Sequence, residues 1–212
     1  VYSGDTTDPV KAKFYGDTQD SLTRISTDLL FFALELNRLE DQKLDLLAQE
    51  KPLARYRPWL ADIRLEKPYQ LEDALEKLFH EKAATGRSAW NRLFDETISS
   101  LRFSFSGQEL TLEAVLNKLQ DSDASVRKEA ADALAKTFKE NLRVFTLITN
   151  TLAKDKEISD KWRGFTDVAD SRHLANRVER EVVEALVSAV RAAYPRLSHR
   201  YYKLKARWFG MN

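Results

Sequence analysis

An all-α fold is what this sequence predicts: an elongated multi-helix bundle with two long helices and one small β-hairpin near 101–112. Three observations carry that reading. Only six Gly and five Pro interrupt 212 residues, so long helices meet few breakers. Apolar residues (43%) recur at three- and four-residue steps between charged ones (32%), the composition of a water-facing helical protein rather than a disordered or all-β one. One short segment alone changes to period two.

Asp8-Pro9 predicts a helix start, with Asp as cap and Pro at the first helical position. Tyr15, Leu22, Ile25, Leu29, Phe32, Leu36 and Leu39 then form one stripe on a helix of about thirty residues. Leu30, Phe31 and Leu34 widen the stripe mid-way, so its centre is expected to be covered on several sides. A shorter helix follows around Leu44 to Glu50, ended by Pro52, and another runs from Leu53 to Leu65 with Pro58 near its start. Lys67-Pro68-Tyr69 breaks the chain. Leu71, Leu75, Leu78 and Phe79 share a helix face. Gly86 is read as its stop, and Ser88 as the cap of a helix bearing Trp90, Leu93, Phe94, Ile98 and Leu101.

Leu101, Phe103 and Phe105 alternate with Arg102 and Ser104 up to Ser106-Gly107, and Leu110 and Leu112 flank Thr111. That is a hairpin pattern. Thr111 is placed to cap a helix over Leu112 to Leu119. Asp121-Ser-Asp123 opens the second long helix, with Val126, Ala130, Leu134, Phe138, Leu142, Phe145, Ile148 and Leu152 on one stripe of about 27 residues. A charged continuation over Lys154 to Arg163 ends at Gly164. A helical turn starts at Asp170 or Ser171, then a helix spans Val178 to Tyr194, and Pro195 re-initiates the last one, with Leu197, Tyr201, Leu204 and Trp208.

The bulk numbers exclude several functions. A net charge of +1, from 34 basic and 33 acidic residues spread along the chain, gives no basic face for nucleic acid or anionic lipid. Without Cys there is no disulfide framework and no thiolate site, which fits a reducing compartment and a cytoplasmic location. The densest apolar run, Leu29 to Leu34, falls far short of the roughly 18 residues of a membrane span. The single Met is Met211 and the chain opens Val1-Tyr2, so the sequence is expected to be a piece of a longer protein.

Catalytic motifs are sparse. His80-Glu81 is the first half of a zinc-protease signature, which needs a second His four residues on so that two imidazoles share one helix face. Position 84 is Ala, and His173 and His199 have Arg177 and Lys203 at that spacing. No catalytic residue and no metal ligand is therefore assigned. Residues 119–134, with Asp123 as cap and Val126, Ala130 and Leu134 inward, look like one HEAT unit. A second copy at a fixed period is missing. Trp162, Phe165, Trp208 and Phe209 read as core or interface anchors, and the basic-aromatic segment 199–208 as an amphipathic helix.

Several segments together resemble the oligoendopeptidase F family, zinc metallopeptidases related to thimet oligopeptidase. They are Tyr2-Ser-Gly-Asp-Thr-Thr-Asp-Pro9, Leu29-Leu-Phe-Phe-Ala-Leu-Glu-Leu36, Lys67-Pro-Tyr-Gln-Leu71, Ser88-Ala-Trp-Asn-Arg-Leu-Phe-Asp-Glu96, Thr146-Leu-Ile-Thr-Asn-Thr-Leu-Ala-Lys154 and Ala169-Asp-Ser-Arg-His-Leu-Ala-Asn176. The resemblance implies a helical body split by a deep channel. Zinc lies on the channel floor, held by a His-Glu-x-x-His helix and a later Glu. None of those residues maps onto this chain, so the zinc helix is expected beyond Asn212. Residues 1–212 are then expected to be a single helical N-terminal lobe, with a sub-boundary near 119–123 separating 1–120 from the start of peptidase-domain helices in 121–212. The implied role is a channel wall, inactive alone, with no cofactor in this chain and Zn in the full-length parent. Arg172, His173 and Asn176, polar residues on one short helical segment, are the substrate-channel candidates. The expected partners are the remainder of the polypeptide and an oligopeptide substrate, with no nucleic acid and no membrane. Self-association is expected of the isolated chain, because helix faces meant for the catalytic part would be exposed. The alternative reading is a non-enzymatic HEAT-like interaction module.

Overall fold

Asp8 starts the first helix as its sequence predicts: Oδ1 accepts from the backbone N–H of Val10 (2.8 Å) and Lys11 (3.3 Å), and Pro9 takes the first helical position. The structure is a computed structural model that describes Tyr2 and residues 8–211. Residues 3–7 of the first family-like segment lie outside the described residues. Tyr2 stacks on Tyr15 at 4.5 Å and donates to Glu96 Oε1 at 2.6 Å.

The helix α1 runs Pro9–Arg38. Its closing carbonyls are clamped from the side, because Arg64 donates to Asn37 O (2.7 Å) and Leu39 O (2.6 Å). Next come α2 (Asp41–Gln49), a 3-10 turn (Ala54–Tyr56), α3 (Arg57–Glu66) and a second 3-10 turn (Lys67–Tyr69). Pro58 and Pro68 each sit in a first turn, where the missing N–H costs nothing. Then follow α4 (Asp73–Ala83) and α5 (Arg87–Ser100). Ser88 lies inside α5 and does not cap it. Gly86 holds the cap position, and its N–H closes α4 on Lys82 O at 2.8 Å, so one residue ends one helix and begins the next.

The hairpin is β1 (Phe103–Phe105) against β2 (Gln108–Leu110), in the register Phe103↔Leu110, Ser104↔Glu109, Phe105↔Gln108. Ser106 and Gly107 have φ of 47° and 75°, the two left-handed residues of a type I′ turn. The strained Ser106 is held from outside: its backbone N–H (2.6 Å) and hydroxyl (3.1 Å) both donate to Glu129 Oε1. After the hairpin come α6 (Leu112–Lys118), α7 (Ala124–Glu140), α8 (Leu142–Arg163), α9 (Asp170–Ala175), α10 (Arg180–Ala193) and α11 (Ser198–Trp208).

The expected 27-residue stripe is two helices. Asn141 leaves helical geometry (φ −101°, ψ 6°), and its side chain bonds back to Thr137 O at 2.9 Å while its own carbonyl accepts from Val144 and Phe145. Phe138 and Phe145 still reach one cluster across the break, at 6.0 Å between rings, so the apolar pattern alone conceals it. The expected charged continuation over Lys154 to Arg163 is the second half of α8, closed as expected by Gly164 at φ 81°.

Phe103 and Val115 are fully buried at the centre of the main core. Leu101, Phe105, Ala130, Ala133 and Leu134 surround them, so residues on both sides of the 119–123 turn share one cluster. In the segment that looked like a HEAT unit, α7 packs on the hairpin and α6.

Much apolar surface remains uncovered. A compact chain of 24.5 kDa exposes about 10,100 Å², whereas this one exposes 16060 Å². The centre of the α1 stripe is expected to be covered on several sides, yet only Leu34 is buried there, and Leu22, Ile25, Leu29, Phe31 and Phe32 are all more than half exposed. α1 packs on α4 and α3 through a more polar line that includes Thr27, Leu34 and Asn37. Val182, Leu186, Val187 and Val190 of α10 are exposed in the same way. Among the described residues, no helix is long and apolar enough to cross a membrane.

Candidate functional site

A cleft of about 720 Å³ opens where α1, α3, the Lys67–Tyr69 turn, α4, α5, α8 and α9 converge. Across it runs an ion pair between a buried carboxylate and a half-buried guanidinium. Glu76 on α4, 9% exposed, accepts from both terminal nitrogens of Arg163 on α8 (2.7 and 2.9 Å), and Leu71 N–H adds a third bond at 2.8 Å. Burial pushes the Glu76 carboxyl up, but Arg163 and the Leu71 amide outweigh it and hold the carboxyl below its ordinary range. Hydrogen bonding to Glu76 raises the Arg163 pKa in turn. Arg163 also donates to Tyr69 O (3.1 Å), and the Tyr69 ring stacks on Phe165 at 4.0 Å. Residues 87 positions apart in sequence thus fix the turn, α4 and α8 relative to one another.

The α8–α9 side is tied down as well. Lys156 pairs with Asp160 one turn along α8, and donates to Val168 O and Ser171 Oγ, each at 2.8 Å. Arg180 pairs with Asp170, which also accepts from Asp167 N–H (2.9 Å) and Thr166 Oγ1 (3.2 Å). Those partners outweigh desolvation and lower the Asp170 carboxyl pKa. Arg177, in left-handed geometry at φ 53°, reaches back to Glu66 of α3 at 2.7 Å. Two acceptors in the cleft lining, Asn37 Oδ1 and Gln70 Oε1, are buried without a hydrogen-bond partner among the described residues.

Of the three channel candidates, Arg172 lines the cleft and is exposed. His173 is half-buried and Asn176 exposed, and neither belongs to the lining. Their backbones shape the α9 end: Asn176 N–H donates to Arg172 O (3.0 Å) and Val178 N–H to His173 O (3.1 Å). Of the cleft residues that matter most, Glu76, Arg163, Lys156 and Asn37 carry no local motif beyond polarity on a helix, and Gln70 is marked only by its place in the Lys67-Pro-Tyr-Gln-Leu71 segment.

His80 hydrogen-bonds Ser26 of α1 at 2.9 Å through Nε2. Glu81 borders a smaller hollow of about 340 Å³ against Asp20, Arg24 and Asp28. Among the described residues, no three His, Asp or Glu side chains gather closely enough to hold a metal ion. Zinc therefore fits no site on them.

Comparison with known proteins gives these elements a setting. The family model described as Oligopeptidase F matches residues 35–103. The chain is 24% identical over 217 residues to group B oligopeptidase PepB of Streptococcus agalactiae serotype III (strain NEM316), covering 98% of this chain and 36% of that protein. It is 26% identical over 193 residues to oligopeptidase PepF of Bacillus subtilis (strain 168), covering 86% and 28%. The chain thus spans about a third of the length of these relatives. The crystal structure of oligoendopeptidase-F from Enterococcus faecium superposes with a TM-score of 0.86 at 21% identity, over 97% of this chain and 42% of that one. A putative peptidase from Chlamydophila abortus shares the fold at a TM-score of 0.65 and 16% identity, over 100% and 36%.

Proposed function

We propose a function from one premise: this chain belongs to the oligoendopeptidase F family and is its N-terminal portion. On our reading it forms part of the wall of a channel in which a zinc-dependent parent enzyme hydrolyses short peptides. The chain carries no catalytic or metal residue of its own. The work of such a wall is to keep bulk water and folded substrates away, and to hold a peptide in one orientation for groups supplied by the rest of the polypeptide. A cytoplasmic location belongs to the same reading, which the absence of Cys supports.

The observation that carries the proposal is the fold itself. It follows an oligoendopeptidase-F over 97% of this chain while spanning less than half of that protein. The rigid cleft supports it, since ion pairs on two sides fix the wall before any ligand arrives. The test is an assay of the full-length parent with a quenched fluorogenic peptide and with a folded protein as competitor substrate. The expected result is cleavage of the peptide alone, abolished by phenanthroline and restored by zinc. A zinc-loaded parent that leaves the peptide intact refutes the reading.

A further inference from the structure

Asn37 and Gln70 pose a chemical question that the ion pairs around them do not. Asn37 is 7% exposed, near the C-terminal end of α1, and Gln70 closes the turn after α3. Both line the same cleft, and both keep a carboxamide oxygen buried without a partner among the described residues. Nearby polar groups do not behave this way. Glu76, Arg163, Lys156 and Asp160 are all engaged with one another or with backbone. An unmet acceptor in a buried wall costs free energy unless a ligand donor meets it.

A carboxamide carries a donor and an acceptor side by side, so it can pair with both the C=O and the N–H of a peptide unit. Two of them in one wall therefore match a main chain better than they match a metal ion or a phosphate. The lining is mixed, and its apolar members, Leu34 and Phe165 among them, suit side chains of no particular identity. The cleft also holds two arginines, Arg87 on α5 and Arg172 on α9, that make no ion pair among the described residues. A volume of about 720 Å³ suits a few residues of extended peptide.

We propose that this cleft is a peptide main-chain site, in which the carboxamides of Asn37 and Gln70 pair with peptide units and Arg172, with Arg87, receives a carboxylate. The inference rests on the oligopeptidase reading for the class of ligand, and on the cleft alone for the residues. It gives this portion of the protein a direct hold on substrate, indifferent to side-chain sequence.

The test uses the 212-residue chain, ¹⁵N-labelled, titrated with N-acetyl-penta-alanine carrying either a free or an amidated C-terminus. The site predicts saturable shifts of the Asn37 and Gln70 side-chain NH₂ signals, with a dissociation constant on the order of 1 mM. Amidation weakens binding about tenfold, and Arg172→Ala does the same for the free acid alone. Asn37→Leu removes an acceptor that bonds nothing, so it leaves the fold intact while weakening both peptides about tenfold. Gln70→Ala, in a turn, gives the same readout without touching a helix. Absence of shifts at saturating peptide, or binding unchanged in both Asn37→Leu and Gln70→Ala, overturns the proposal. If the parent cleaves peptides while this chain shows no shift, the site falls and the functional reading stands. If the chain binds peptide while the parent is inactive, the functional reading falls and the site stands.

Discussion

Arg163→Met removes the guanidinium that neutralises Glu76 while keeping most of the side-chain volume. The Arg163 side chain is 26% exposed and that of Glu76 11%, so the variant leaves a nearly buried carboxylate with Leu71 N–H as its remaining donor. Breaking a fully buried pair costs about 3–5 kcal/mol. Partial solvent access at Arg163 places this one near the lower end, about 3 kcal/mol, which lowers Tm by roughly 6–12 °C in a chain of this size. The assay is urea unfolding followed by circular dichroism at pH 7, run as a cycle with Glu76→Gln and the double variant. Because Glu76→Gln removes the charge that Arg163→Met strands, the double variant recovers part of the loss, with a coupling of about 2 kcal/mol. The penalty of Arg163→Met also shrinks as pH falls and Glu76 takes up a proton. A loss below about 1 kcal/mol, or effects that simply add, refutes the view that this pair braces the cleft.

The same pair sets a pH dependence in the unmodified chain. The folded Glu76 pKa lies below its ordinary value of 4.5, so its contribution is complete above about pH 4.5 and is lost as pH falls through the folded pKa. Unfolding free energy measured from pH 6 to 3 should fall over that lower window, and the fall should be smaller in Glu76→Gln. Phe103→Ala, at a position 0% exposed, should cost about 4 kcal/mol by urea titration. A loss below about 2 kcal/mol would place the main core elsewhere. Gly164→Ala meets no atom within 4 Å, so its cost is that of an L residue at φ 81°, about 1 kcal/mol, and unchanged stability contradicts the left-handed stop of α8.

Local signals in the sequence are legible because their physics is local. Asp8, Thr111 and Asp123 cap where a short acceptor precedes an apolar period. Ser106-Gly107 turns the hairpin where period two meets two residues able to take positive φ. The break at Asn141 is hidden because it preserves the stripe, bringing Phe138 and Phe145 into the same cluster from two helices. The covering of the α1 stripe is misread for a different reason. Periodicity shows that Leu22, Ile25 and Leu29 share a face, not that any element of this chain packs against it.

The cleft is the least legible part. Glu76 and Arg163 read as ordinary charges on amphipathic helices, and only the fold brings them within 2.7 Å. Arg172 is found from its neighbourhood in sequence, while Asn37 and Gln70 need the convergence of α1, the Lys67–Tyr69 turn and α8 to become a wall. Family resemblance sits in between: it points to the right fold and, of the cleft residues, singles out Arg172 alone.

Zinc content and hydrolysis of the purified 212-residue chain decide between a channel wall and an enzyme in its own right. A wall holds far less than one zinc per chain after metal loading and dialysis and leaves a quenched fluorogenic oligopeptide uncleaved. One tightly held zinc per chain, together with cleavage that phenanthroline abolishes, makes the chain an enzyme and rules the wall out.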